Sequence, residues 1–136
     1  MRSSSSSGLK VLMFHGLVRE MPAYAVYPGT RTCLIRQRDF DACIRWCTRT
    51  HKVITLRDLP RYLSGEASDP AVLITFDDGL ASVIDLAVPV LQKYGVTAVL
   101  FVTTGWIDQQ VTPALFRLER DLVGDRAADV VVPFST

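Results

Sequence analysis

Apolar and polar positions follow two periods along this chain. Leu9 to Phe14 is a short apolar run ending at His15-Gly16 and reads as a buried strand. Residues 19–36 hold Pro22, Pro28 and Gly29 among scattered aromatics and read as a long loop, a length often tied to function. From Asp39 to Thr50, Phe40, Cys43, Ile44 and Cys47 recur at helical spacing, which predicts an amphipathic helix with Asp39 as its N-cap. Val53 to Leu56 predicts a short strand, and Arg57 to Leu63 a short helix closed by Ser64-Gly65. Ala71 to Phe76 is almost wholly apolar, as a strand buried on both faces of a parallel sheet must be. It runs into Asp77-Asp78-Gly79. Ser82 to Tyr94 places Ile84, Val88 and Leu91 on one helix face, with Gly95 as the stop and Pro89 as an internal kink or division. Thr97 to Val102 predicts another strand, ending in Thr103-Thr104-Gly105. Thr112-Pro113 opens a helix to about Leu122, and Asp129 to Phe134 reads as one more strand.

Strands alternating with helices imply a parallel α/β arrangement with right-handed crossovers. The choices are an open doubly wound sheet or a (β/α) barrel, and both carry their chemistry at the C-terminal strand ends. That rule selects His15, Asp77, Asp78 and Thr103-Thr104. The 136 residues suit one domain of about 100–200 residues, with residues 1–8 set aside as a flexible Ser-rich leader. Hydrophobic residues at 49% and charged residues at 21% exclude intrinsic disorder. Lys+Arg 15 against Asp+Glu 14 gives no basic excess, so no nucleic-acid partner is expected. Cys33, Cys43 and Cys47 are odd in number and match no common zinc spacing; they read as small apolar residues. No segment approaches the ~18 apolar residues of a transmembrane span. No apolar signal-peptide core follows Met1-Arg2, so the expected compartment is cytoplasmic.

Two adjacent carboxylates after a buried strand are costly unless something pairs them. Adjacent residues point in different directions, so one of Asp77 and Asp78 can hold a cation while the other faces substrate or water. Gly79 permits a sharp turn or close approach to a ligand. The plainer alternative is a turn at Asp78-Gly79 with Asp77 capping the next helix. His15 is expected to face the same strand-end site, as a substrate contact or as an ordinary polar strand end. His51, beside Lys52, reads as a surface residue. Trp46 reads as helix packing, whereas Trp106 follows a C-terminal strand end and is a candidate platform for a sugar ring.

Thr75-Phe76-Asp77-Asp78-Gly79 is similar to the first motif of the polysaccharide deacetylases, the NodB homology domain of carbohydrate esterase family 4. Val11-Leu12-Met13-Phe14-His15-Gly16 resembles the family's opening strand. Phe40, Val53-Ile54-Thr55-Leu56 and Asp58-Leu59 resemble its first helix and second strand. Ala87-Val88-Pro89-Val90-Leu91, Lys93 to Val96, Ala98 and Phe101-Val102 resemble the elements after the motif. The likeness runs from residue 9 to about 108. It implies the N-terminal portion of a distorted (β/α) barrel, about five parallel strands alternating with helices. It also implies metal-dependent hydrolysis of N-acetyl groups on a carbohydrate, with zinc or a similar divalent metal as cofactor. Asp77 would be the general base and Asp78 a metal ligand, with His15, Thr103 and Trp106 as substrate-binding or supporting residues. A metal lowers the pKa of bound water and polarises the carbonyl, and a carboxylate beside it stays ionised.

The chain departs from the family at its second motif, a His-x-x-x-His pair. Its two histidines, His15 and His51, are far apart and neither falls at that motif. Residues 9–136 therefore read as an incomplete deacetylase domain, truncated, inactive alone, with an open sheet edge that invites self-association. The alternative is a non-catalytic NodB-like domain for binding or assembly. A magnesium-dependent phosphoryl-transfer enzyme of the doubly wound class would need a strand-end lysine, which neither Lys52 nor Lys93 supplies.

Overall fold

A computed structural model of the chain describes residues 8–21 and 33–109. Its strands are β1 (Leu9–Phe14), β2 (Gly16–Val18), β3 (Leu34–Arg36), β4 (Lys52–Ile54), β5 (Ala71–Phe76) and β6 (Val99–Leu100). The helices are α1 (Gln37–Thr50), α2 (Leu59–Leu63), α3 (Val88–Tyr94), which follows a π-helical turn at Val83–Ala87, and α4 (Thr104–Gln109). The helix expected over 112–122 and the strand over 129–134 lie outside the described residues, as does much of the loop expected over 19–36.

β5 is the centre of a four-stranded parallel sheet. One edge pairs with β1 along its whole length, from Leu9↔Ala71 to Phe14↔Phe76. The other edge is shared: β4 takes Ala71 to Leu73, and β6 takes Thr75 and Phe76. All six residues of β5 are buried, as the unbroken apolar run requires. Alternation sends them to two cores. Ile74 and Phe76 join Phe40, Ile44, Val83, Leu86 and Leu91 on the face covered by α1 and α3. Ala71 and Leu73 join Ile54 and Tyr62 beneath α2. Beyond α2, Val11 and Met13 leave that second face exposed. β2 and β3 form a separate parallel pair.

Several element limits differ from those expected, each for a local reason. α1 begins at Gln37 rather than after Asp39, because β3 leads straight into it. Asp39 instead lies in the first turn, where its carboxylate accepts a 2.6 Å bond from Arg36 Nε and complements the helix dipole. β4 stops at Ile54 because the Asp58 carboxylate accepts both the Thr55 N–H and the Thr55 hydroxyl, at 2.9 and 2.7 Å. β6 cannot run back as far as Thr97, because β4 already pairs Leu73, the residue of β5 that Thr97 would need. Pro89 divides its helix as expected, and the π turn lies immediately before it, with Val88 N–H donating to Val83 C=O. The extra residue in that turn rotates the buried stripe. Val83, Leu86, Ala87, Val90 and Leu91 face the core, while Ile84 is exposed. Gly95 closes α3 in a left-handed conformation, φ +64°, and Val96 N–H reaches back to Leu91 C=O.

Candidate active site

Three strand ends meet at one end of the sheet. Asp77 N–H donates to Phe14 C=O at 2.8 Å, which ties the exit of β5 to the exit of β1. Phe101 N–H donates to Phe76 C=O at 2.8 Å, which ties β6 to the same point. His15 and Asp77-Asp78-Gly79 are thus the first residues past β1 and β5, and Val102-Thr103 follow Phe101 past β6. His15, Asp77, Asp78, Gly79 and Thr103 are partly buried.

The backbone at this corner is unusual. Asp78 has φ +74°, and it alone among the described non-glycine residues has a positive φ. The left-handed region costs an L-residue about 1–2 kcal/mol, less for Asp, and such strain gathers at functional sites. Gly79 repeats the value, φ +74°, and a side chain there would put its Cβ 3.0 Å from Val102 Cγ1. Two successive left-handed residues turn the chain sharply off β5, and glycine is needed at the second for both conformation and space.

The turn brings Asp78 Oδ2 to 4.0 Å from His15 Nε2, with the two side chains 32% and 23% exposed. That distance is too long for a hydrogen bond. His15 is held by its neighbours. The next residue but one, Leu17, donates its N–H to Ser82 Oγ at 3.1 Å, joining the β1–β2 corner to the segment after the motif. Sequence reading missed Ser82, which resembles any serine at a helix start. Its only signal is its position three residues after Gly79.

Thr103 C=O accepts the Trp106 N–H at 3.0 Å at the start of α4, so Trp106 lies in a helix rather than in the loop expected there. Among the described residues no hydrogen bond or ion pair joins either to Asp77 or Asp78. His51 is far from this corner, at the opposite end of the sheet. There its ring contacts Lys10 and Thr50.

A catalytic zinc site takes three protein ligands and an open position. Among the described residues no group of three or more His, Cys, Asp or Glu side chains is placed to hold a metal ion. Asp78 and His15 are suitable donor types but too few. The described residues alone do not make a metal centre.

The chain matches the family model described as polysaccharide deacetylase over residues 64–126. It is 26% identical over 103 residues to YxkH of Bacillus subtilis (strain 168), a candidate polysaccharide deacetylase, covering 74% of this chain and 33% of that one. The fold is similar to IcaB from Ammonifex degensii, with TM-score 0.61 and 28% identity over 74% of this chain and 40% of that one. It is also similar to the Streptococcus pyogenes deacetylase PplD, solved with acetate, with TM-score 0.65 and 20% identity over 90% of this chain and 52% of that one. A de-N-acetylase from Aggregatibacter actinomycetemcomitans aligns with TM-score 0.62 and 19% identity over 91% of this chain and 52% of that one. The last two likenesses speak for the fold alone. The chain spans a third of YxkH and about half or less of each of these structures. Between a doubly wound sheet and a barrel, the neighbours decide for the distorted (β/α) barrel of the NodB type. By family model, curated relative and fold, the chain is similar to the polysaccharide deacetylases over part of their length.

Proposed function

We propose that this chain supplies the base-bearing portion of a metal-dependent carbohydrate N-deacetylase site. Asp77 is the general base and Asp78 one metal ligand. His15 lies beside them to contact substrate or to hold Asp78 in place. The observation that carries this reading is the strained corner at Asp78. A carboxylate held at φ +74° at the exit of a wholly buried central strand is costly for stability alone. The strain is intelligible if the carboxylate must point at a ligand. A base acts within hydrogen-bond reach of the water it deprotonates, and Asp77 sits one residue from the proposed ligand.

With two donors present, we propose that the remaining ligands come from outside the described residues, and that the 136-residue chain alone does not hydrolyse substrate. The likeness to polysaccharide deacetylases supports an N-acetylated carbohydrate as the substrate class. The same two-donor corner favours the second reading, a non-catalytic NodB-like domain used for binding or assembly. One experiment separates them. Residues 9–108 replace the matching portion of IcaB from Ammonifex degensii, and acetate release from an N-acetylglucosamine oligomer is measured with zinc present. The catalytic reading expects release that Asp77→Asn and Asp78→Asn each abolish in a folded chimaera. A folded chimaera with no release, or one indifferent to Asp77→Asn, would favour the non-catalytic reading.

A further inference from the structure

Cys43 and Cys47 are free thiols four residues apart on α1, so they share one face of the helix. Cys47 is fully buried, and Cys43 is half-buried. The Cys43 side chain lies close enough to hydrogen-bond to Cys47. Burial first, and then this neighbour, push the Cys47 thiol up to about 11. The pair belongs to the second half of α1, which leads into β4, and β4 starts opposite Ala71 at the entry of β5. It therefore lies toward the end of the sheet away from Asp77.

A pair with this spacing is too wide for a disulfide. Side chains four apart on a helix have Cβ atoms about 5–6 Å apart, whereas a disulfide holds them at about 3.5–4.5 Å. Closing that bond would distort a helix whose buried face carries Phe40 and Ile44. One atom placed between the sulfurs removes the mismatch, because two metal–sulfur bonds of about 2.3 Å reach up to about 4.6 Å. Among the described residues no third His, Cys, Asp or Glu side chain joins the pair to complete a larger ligand set. Cys33 precedes β3 and is not grouped with them. Zinc takes four ligands, so two sulfurs alone hold it poorly. Thiolates select soft ions, copper(I) among them, and copper(I) is satisfied by two thiolates.

We propose that Cys43 and Cys47 form a two-sulfur site for copper(I) on α1. The ion reaches the pair through Cys43, the more exposed thiol. Two copper–sulfur bonds form, the two thiol protons leave to solvent, and copper stays in the +1 state, so no oxidant or reductant is consumed. A buried thiol in apolar surroundings is otherwise inert, and only an ion that binds sulfur tightly displaces its proton. The site is independent of what the corner at Asp77 hydrolyses.

The test titrates the reduced full chain, under nitrogen, with copper(I) supplied as its bicinchoninate complex. Loss of that complex's colour measures transfer to the protein. One copper per chain should transfer, and excess zinc should not displace it. Cys43→Ser and Cys47→Ser should each weaken binding by about tenfold or more, and Cys33→Ser should change it by less than about twofold. Cys43 is half-buried, so Cys43→Ser is the decisive variant, with circular dichroism to establish that it is folded. X-ray absorption at the copper edge should show two sulfur neighbours. Absence of transfer would overturn the proposal, as would parent-like affinity in folded Cys43→Ser or an equal loss in Cys33→Ser. One copper shared between two chains would also overturn it.

Discussion

Replacing Gly79 by alanine should be among the more damaging single-methyl changes available in this chain. Two effects add. The backbone at φ +74° disfavours any Cβ by about 1–2 kcal/mol. The new methyl also meets Val102 Cγ1 at 3.0 Å and Cγ2 at 3.3 Å, and the Val102 Cα is close behind at 3.4 Å. A β-branched side chain is stiff at χ1, so relief requires a shift of the β6 exit; overpacking of this kind costs about 1–3 kcal/mol. The sum, roughly 2–5 kcal/mol, is a large share of the ~5–15 kcal/mol that holds a typical domain folded. Gly95 is the internal control. It has φ +64° with nothing within 4 Å of a built Cβ, so Gly95→Ala meets the backbone term alone. Urea denaturation of both variants should place Gly79→Ala below Gly95→Ala by about 1–3 kcal/mol, with m unchanged. Val102→Ala should recover most of that difference in the Gly79→Ala background. Equal losses in the two glycine variants, or no recovery through Val102, would refute the reasoning.

Asp78→Gly should leave the protein as stable as the parent or slightly more so, whereas Asp78→Ala should lose about 1 kcal/mol, because only glycine relieves the left-handed backbone; denaturant midpoints decide this. Phe40 is fully buried and packs on Phe14 at 5.1 Å and Phe76 at 5.6 Å, so Phe40→Ala should lose about 3–5 kcal/mol, seen as a lowered urea midpoint. The Lys93 ammonium, 2.6 Å from Asp41, holds that carboxyl below its ordinary value of 3.8, and Asp41 in turn holds Lys93 above 10.5. The Asp41 contribution is present above the ordinary carboxylate range and lost as pH falls through the lowered value. The Lys93 contribution is present below 10.5 and lost as pH rises through the raised one. Asp41→Asn should flatten both limbs of a stability-against-pH curve, and unchanged limbs would contradict the pairing.

Much of the fold was legible because burial writes itself into composition. Ala71 to Phe76 could only be a central parallel strand, and the structure places its limits at those residues. Phe40, Ile44 and Cys47 formed the expected buried stripe of α1. What sequence reading missed was competition among partners. Nothing local in Thr97 says that β4 already holds its place beside Leu73 of β5. Nothing in Thr55 says that the Asp58 side chain will take its N–H. The phase shift at Val83–Ala87 follows from Pro89 through backbone bonding, which a hydrophobic period cannot register. At the site, Asp77-Asp78-Gly79 was plain from its place after a buried strand. The left-handed backbone at Asp78 was not, since aspartate only tolerates that region.

The central claim, that the chain holds part of a deacetylase centre and lacks ligands to complete it, is most directly tested by zinc calorimetry on the 136-residue protein. With two donors at the strand-end corner, binding should be weaker than roughly 0.1 mM. Asp78→Asn should weaken it further. Stoichiometric binding at nanomolar affinity that Asp78→Asn abolishes would contradict the account, because it would show a complete metal site within this chain.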